Sequence, residues 1–302
     1  MIFPDLEELV ALRGAAHGLS LHARRPALAR LLGGHRSAQR GRGLEFEEVR
    51  PYAPGDDARH IDWRVTARRG RPHTKLFREE RERPVWLLAD LHPGLYFGSR
   101  RQLKSALLLR AAALLGWVAV QGGDRLGALV AAGQTRIFPP RAREAGLLPV
   151  LEALVQMQPR APGRPDPEAL PAALAALRPL LQPGSLVLVL SDFSGLGAAS
   201  GAASEAALAG IAAHSDCRLL WISDPLEREG LPDGLHRVGF PGRLWWLDGA
   251  RSRASWQAAW AAREARLDAI ARRHGLPLTR LATPEAAAET LPPLLREPRW
   301  AA

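Results

Sequence analysis

Aspartates follow three of the apolar strands that the sequence predicts. They are Asp90 after residues 85–89, Asp192 after residues 185–190 and Asp224 after residues 218–222. In doubly wound sheets, ligands bind just beyond the carboxyl ends of the strands, so these acids are candidates for one site. Carboxylate oxygens suit a divalent metal ion. Together with the pair Asp56-Asp57, they would supply the acids of a metal-assisted hydrolase or nuclease.

Other catalytic signatures are missing from the sequence. The run Ser191-Asp192-Phe193-Ser194-Gly195 follows a strand but lacks the glycine-x-serine-x-glycine spacing of a nucleophile elbow. No glycine-rich phosphate loop ends in Gly-Lys-Ser/Thr. His60 is a candidate general base because Asp62 is close in sequence, but we expect a solvated helix histidine. We therefore predict a protein without catalytic residues.

A second group of candidate functional residues lies in residues 44–63. Its polar, aromatic and rigid members are Arg50, Tyr52, Pro54, Gly55, Asp56, Asp57, Arg59, Ile61, Asp62 and Trp63. The dipeptide Pro54-Gly55 sets a tight turn, and the acids that follow suit a helix N-terminus. The arginines and aspartates predict a compact ion-pair lattice, with Tyr52 and Trp63 as its apolar covers. Ion-pair networks are commonly structural, which favours a staple, while a recognition surface is the alternative.

This block closely resembles the bacterial and archaeal family called domain of unknown function 58. The family pattern is present at Glu45-Phe46, Arg50, Tyr52, Pro54 to Asp57, Arg59, Ile61 to Trp63 and Ala67-Arg68. The close match spans about residues 43–94 and continues through Lys75, Phe77 and Glu79-Glu80 into the strand that follows. Beyond it, the resemblance rests on the order of the elements.

The resemblance implies a von Willebrand factor type A-like fold, which often holds a divalent metal at the sheet edge. Its usual site takes an aspartate and two serines from a first loop, a threonine from a second and an aspartate from a third. In this chain His92 and Gly94 stand in place of the two serines, and only Asp90, Asp192 and Ser194 remain as oxygen ligands. Since Mg²⁺ prefers an octahedral shell of oxygens, we expect no cofactor, with Mg²⁺ bound weakly or not at all.

Composition bounds the class of protein and its partners. The chain has 302 residues, 47% of them hydrophobic, and a formal charge of +10. All the basic residues except Lys75 and Lys104 are arginine, and they are spread along the chain, so we expect no nucleic-acid partner. The single cysteine, Cys217, lies in an apolar run and indicates a buried thiol in a reducing compartment.

Membrane insertion is not expected from the sequence. The longest apolar run, residues 106–120, is interrupted by Arg110 and is too short to span a bilayer. The first residues show no signal-peptide core. We therefore expect a cytoplasmic protein without stable membrane insertion.

The elements that must position the acids alternate between apolar strands and helices, which predicts a doubly wound, mostly parallel α/β sheet. Strands are predicted at 44–49, 73–79, 85–89, 126–131, 135–138, 185–190, 218–222, 235–238, 244–247 and 277–281. Helices are predicted at 4–18, 26–33, 57–69, 102–121, 143–157, 167–181, 204–213, 253–273 and 285–296. We predict two domains: an N-terminal α+β extension, 1–83, which carries the motif, and the α/β domain, 84–302.

Two functions remain open at this point. The resemblance implies a non-enzymatic adaptor, since proteins of this kind commonly accompany MoxR-type AAA+ ATPases and remodel or mature client proteins. The alternative is the metal-assisted hydrolase or nuclease. We further predict that Arg50, Asp56, Asp57, Arg59, Asp62 and Trp63 form a rigid module at the junction of the two domains, part of which faces a protein partner.

Overall fold

The computed structural model of the chain describes residues 2–21, 44–53, 58–79, 83–164, 166–197, 201–240, 242–291 and 295. The predicted helix 26–33 and the turn Pro54 to Asp57 lie outside these residues. Contacts divide the chain into a larger unit, Met1–Leu32 with Arg83–Ala302, and a smaller unit, Gly33–Glu82.

The described strands are β1 (Leu44–Pro51), β2 (His73–Glu79), β3 (Pro84–Asp90), β4 (Arg125–Ala131), β5 (Thr135–Ala142), β6 (Leu186–Ser191), β7 (Asp216–Ser223), β8 (Leu235–Phe240), β9 (Arg243–Asp248) and β10 (Leu278–Ala282). The described α-helices are α1 (Leu6–Ala11), α2 (Trp63–Arg69), α3 (Lys104–Gln121), α4 (Glu144–Met157), α5 (Ala169–Leu177), α6 (Gly201–Ala212), α7 (Pro225–Glu229), α8 (Gly249–His274) and α9 (Ala287–Thr290).

A six-stranded sheet organises the described part of the larger unit. Its strand order is β10-β7-β6-β3-β4-β5, and only the edge strand β5 runs antiparallel to its neighbour. The order reverses between β3 and β6, as in doubly wound folds, where sites form at such a switch point. The predicted fold class is therefore confirmed.

Both faces of the sheet are covered, which explains why the central strands are continuous apolar runs. Along β3, Val85, Leu87 and Ala89 join one core with α3 and α4. Trp86 and Leu88 join the other core with α5, α6 and α8. This alternation is the period of two that a β-strand imposes on its side chains.

Helix α3 is the main core helix of the first face. It has 18 residues, and 83% of them are buried inside the protein. By length and apolar composition it is able to cross a membrane, contrary to the prediction that this run is too short. Its burial equally fits the central helix of a folded core.

The N-terminal segment packs in the larger unit. Leu9 of α1 is fully buried in the first core, and its carbonyl oxygen accepts a hydrogen bond of 3.0 Å from Trp117 Nε1. Gln158 Nε2 donates to the Pro4 carbonyl oxygen at 3.1 Å. The division of the chain therefore differs from the predicted extension 1–83, because these contacts place residues 4–16 with the sheet. Helix α1 is also shorter than predicted, and turns follow it.

The smaller unit contains an antiparallel pair, β1 and β2, with an irregular register between Phe46 and Glu48. The predicted helix 57–69 is divided into a 3₁₀ turn, Ala58–His60, and α2. The break arises because Ile61 pairs with Thr74 and the Asp62 N–H donates to the His73 carbonyl oxygen at 2.8 Å. Gly70 ends α2 at φ 68°, a left-handed conformation that glycine favours.

The remaining differences from the prediction are local. Helix α7 was not predicted, and α5 ends at Leu177 with a 3₁₀ turn after it. The last helix is described only over Ala287–Thr290, shorter than the predicted 285–296. Strands β8 and β9 form an antiparallel hairpin that is a sheet of its own, and it exposes Leu235, Leu244 and Trp246.

Candidate functional site

The three predicted aspartates lie at the carboxyl ends of β3, β6 and β7, but each has its own partners. Asp90 accepts a hydrogen bond of 2.6 Å from Ser191 Oγ and is 4% exposed. Asp224 accepts bonds from the Ser99 N–H at 2.8 Å and from the Thr283 hydroxyl. These two acids therefore tie loops to the sheet edge.

Asp192 lies at the centre of a buried charge cluster. The ammonium of Lys104 donates to Asp192 Oδ2 at 2.8 Å and to Glu227 Oε1 at 2.8 Å. Lys104 and Asp192 are each 2% exposed. We call Lys104, Asp192 and Glu227 the ammonium cluster. Helix α3 supplies the cation, the loop after β6 supplies one carboxylate, and α7 supplies the other.

The second oxygen of Asp192 is also fully engaged. Oδ1 accepts a bond of 3.1 Å from His92 Nε2 and one of 2.8 Å from the Ser194 N–H. Arg263 of α8 lies 3.7 Å from the same oxygen and donates to the Asp192 carbonyl oxygen. The guanidinium of Arg263 also lies 5.5 Å from the ring centroid of Trp260. The predicted residues Asp192, His92 and Ser194 are thus brought together.

The charges of Asp192 and Lys104 stabilise each other although both side chains are buried. Burial by itself raises the pKa of Asp192, but Lys104, His92 and Arg263 outweigh it and hold that pKa well below its usual range. Burial likewise lowers the pKa of Lys104, but the carboxylates of Asp192 and Glu227 outweigh it and raise that pKa. The salt bridge is therefore ionised at neutral pH.

Asp90 and His92 differ from this pair. Burial raises the pKa of Asp90, against the lowering by His92 and by the Ser191 hydroxyl. The pKa of His92 is raised by Asp192 against the effect of burial. The Gly94 N–H donates to His92 Nδ1 at 3.1 Å, so a proton on that nitrogen would break the bond. Although the raised pKa favours the charged ring, this backbone bond needs an unprotonated Nδ1 and so favours the neutral form, with its proton on Nε2.

Glu227 connects the ammonium cluster to the third acid. Its Oε2 accepts a bond of 2.9 Å from the Asp224 N–H, and Asp224 Oδ1 accepts one of 2.9 Å from the Leu226 N–H. This reciprocal arrangement is a capping box at the start of α7. It fixes the Glu227 side chain so that Oε1 points at Lys104.

The residues at this edge do not fit the divalent metal that the fold implies. No group of three or more metal-ligating His, Cys, Asp or Glu side chains occurs among the described residues. Lys104 Nζ already occupies the space between the two nearest carboxylates. A positive ammonium there would repel a second cation.

The structure describes part of the motif in the smaller unit. Asp62 caps α2, since its Oδ1 accepts from the N–H groups of Arg64 at 3.0 Å and Val65 at 3.1 Å. Arg50 Nη1 donates to the Pro51 carbonyl oxygen at 3.2 Å, and the Tyr52 N–H donates to the Pro72 carbonyl oxygen at 2.9 Å. Arg59 is exposed, and Trp63 is 70% exposed. Trp63 is therefore not the apolar cover that the sequence predicted.

The rest of the motif stays a prediction. Asp56, Asp57 and the turn Pro54-Gly55 lie outside the described residues, as does the side chain of His60. The ion-pair lattice and the junction between domains therefore stay predictions. The capping role of Asp62 is an addition that the prediction did not contain.

Sequence reasoning missed Lys104, Glu227 and Arg263 as members of the site. One signal for Lys104 was available, because it is one of only two lysines in a chain rich in arginine. It also stands at the first position of a long apolar helix, where a positive charge opposes the helix dipole. Such a cation needs nearby carboxylates.

The family model described as Protein of unknown function DUF58 matches residues 48–266. The chain belongs to this family. The match covers the motif of the smaller unit from Arg50 onwards and the whole ammonium cluster, from Lys104 to Glu227. Two relatives are similar to this chain: Uncharacterized protein Rv1480 of Mycobacterium tuberculosis and Uncharacterized protein Mb1516 of Mycobacterium bovis are each 38% identical to it over 169 residues.

That alignment covers 55% of this chain and 52% of each relative, so the chain spans about half the length of the curated relatives it matches. Among solved structures, BatB from Bacteroides thetaiotaomicron aligns at 13% identity and a TM-score of 0.39, over 70% of this chain and 96% of that one. A von Willebrand factor type A protein from Catenulispora acidiphila aligns at 13% identity and a TM-score of 0.32, over 49% and 34%. Similarity at these scores carries no argument about function.

Proposed function

We propose that this DUF58 protein is a non-enzymatic interaction protein, an adaptor that works with a MoxR-type AAA+ ATPase in remodelling or maturing client proteins. The observation that carries the proposal is the exposure of Trp63, whose side chain is 70% accessible in the family motif. A large apolar side chain facing water is informative when it belongs to an ordered element, because folding normally buries it.

The backbone that presents Trp63 is held at both ends of α2. Asp62 satisfies two N–H groups of the first turn, and Gly70 closes the last turn through a bond from its N–H to the Thr66 carbonyl oxygen at 2.9 Å. A preordered helix lowers the entropy lost when a partner binds. Tryptophan and arginine are the residue types most enriched in binding hot spots, and Arg59 is exposed in the preceding turn.

The hydrolase or nuclease alternative receives less support from the geometry. A general acid or base must reach the reacting group within hydrogen-bond distance. Asp90 and Asp192 are buried, and their oxygens are bonded to Ser191, Lys104 and His92. The acids at the described sheet edge are therefore engaged in structure. A cytoplasmic location remains part of the proposal.

The test compares two exposed tryptophans. Trp63→Ala removes the motif side chain, and Trp246→Ala removes one that is 68% exposed on the β8–β9 hairpin. The tagged chain is purified from its host, the AAA+ ATPase that accompanies it is identified, and its affinity for each variant is measured. We expect Trp63→Ala to weaken binding about 30-fold or more, the effect of losing a hot spot, and Trp246→Ala to bind like wild type.

Thermal unfolding of both variants accompanies the binding measurement. Truncating an exposed side chain changes stability by about 0.5 kcal/mol or less, so both melting temperatures should stay near that of the wild type. If Trp63→Ala keeps full affinity, or if no AAA+ ATPase accompanies the wild-type chain, the proposal is wrong.

A further inference from the structure

The ammonium cluster places one cation where a divalent ion would bridge two loops. Lys104 Nζ lies 2.8 Å from a carboxylate oxygen of Asp192 and 2.8 Å from one of Glu227. Asp192 comes from the loop after β6 and Glu227 from α7, both at the carboxyl edge of the sheet. The ammonium also lies 5.9 Å from the ring centroid of Phe97, so an aromatic face borders it on another side.

Burying a lysine at this position costs free energy unless carboxylates compensate its charge. It is almost fully buried, and taking an ammonium out of water is unfavourable. It also stands at the first position of the 18-residue helix α3, where the helix dipole disfavours positive charge. Without the ammonium, Asp192 and Glu227 would face each other with only the partly exposed Arg263 nearby, 3.7 Å and 4.0 Å away, and the repulsion between like charges would raise the cost.

We propose that Lys104 is a tethered cation that replaces a divalent metal ion at the sheet edge of this protein. Its ammonium neutralises Asp192 and Glu227 and thereby joins the loop after β6 to α7. The edge is assembled without a metal ion, and the buried ammonium offers no open coordination position to an acidic partner. Once the ammonium is removed, the two carboxylates and the vacated space form a site for a divalent cation.

Two variants separate the charge of Lys104 from its volume. Lys104→Ala removes the cation and leaves room between the carboxylates, whereas Lys104→Met removes the cation and fills most of that space. Melting temperatures are measured for wild type and both variants with a chelator, with Mg²⁺ and with Mn²⁺, which carboxylate sites also accept. Calorimetric titration with Mn²⁺ measures binding directly.

We expect both variants to melt roughly 6–20 °C below wild type in chelator, because Asp192 and Glu227 lose the ammonium between them and keep only the more distant Arg263. Mn²⁺ at about 100 times its dissociation constant should raise the melting temperature of Lys104→Ala by roughly 5–10 °C. Wild type and Lys104→Met should not respond. If Lys104→Ala fails to fold in chelator, recovery of its folded state on refolding with Mn²⁺ is the expected result.

Three results would overturn the proposal. The first is Mn²⁺ or Mg²⁺ binding by wild type that is lost in Asp192→Asn, since the metal would then coexist with the lysine. The second is wild-type stability of Lys104→Ala and Lys104→Met in chelator. The third is a Lys104→Ala variant that neither binds Mn²⁺ nor refolds with it.

Discussion

Replacing Asp192 by asparagine removes one buried negative charge and leaves the side-chain volume almost unchanged. Lys104 would keep only Glu227 as an ionic partner, and Arg263 would lose the carboxylate that lies 3.7 Å away. Removing one member of a buried ion pair costs about 3–5 kcal/mol, because the other charge is left uncompensated. For a unit of this size, the melting temperature should fall by roughly 6–20 °C.

Urea unfolding followed by circular dichroism measures this loss, and Asp233→Asn is the matched control. Asp233 pairs with Arg253, but its side chain is 76% exposed, so its charge is screened by water. A surface pair of this kind contributes about 1 kcal/mol or less. If the two variants lose the same free energy of unfolding, with unchanged dependence on urea concentration, our account of the ammonium cluster is refuted.

The remaining predictions concern pH and thiol reactivity. The folded-state pKa of Asp192 is depressed, so its stabilising contribution is present above its unfolded pKa of about 3.9 and is lost as the pH falls through the folded value. The stability gap between wild type and Asp192→Asn should therefore be constant near neutral pH and close in acid; a gap that widens in acid would contradict this sign. Burial raises the pKa of the Cys217 thiol to about 12, so Cys217 should resist alkylation at pH 8 in the folded chain and react fully in denaturant. Rapid alkylation of the native protein would show that the core between β7 and helices α5, α6 and α8 is open to the reagent.

Local sequence patterns were sufficient to predict the central strands of the sheet and the ends of several helices. Strands β3 and β6 are covered on both faces, so they appear in the sequence as continuous apolar runs, and β7 contains a shorter run from Leu219 to Ile222. Gly70 ends α2 because a left-handed residue closes a helix, which the sequence also indicates. Patterns failed at α7, a helix of five residues, and at residues 57–69, where pairing of Ile61 with Thr74 interrupts the helix.

Resemblance placed the chain in its family and marked Asp90, His92, Asp192 and Ser194 as a degraded metal site. It did not say what stands in the place of the metal. The exposure of Trp63 also escaped prediction, because hydrophobic residue type alone favours burial, while exposure depends on what packs against the helix.

By itself, the sequence determined which strands form the sheet and which acids lie at its edge, because both depend on neighbours along the chain. Only the tertiary structure decided the partner of those acids. Lys104 is 88 residues from Asp192 and 123 residues from Glu227, and it meets them because the parallel crossovers bring α3, the loop after β6 and α7 to one edge. A contact of that range leaves no local pattern, since its energy comes from charges that approach one another only when the sheet is assembled.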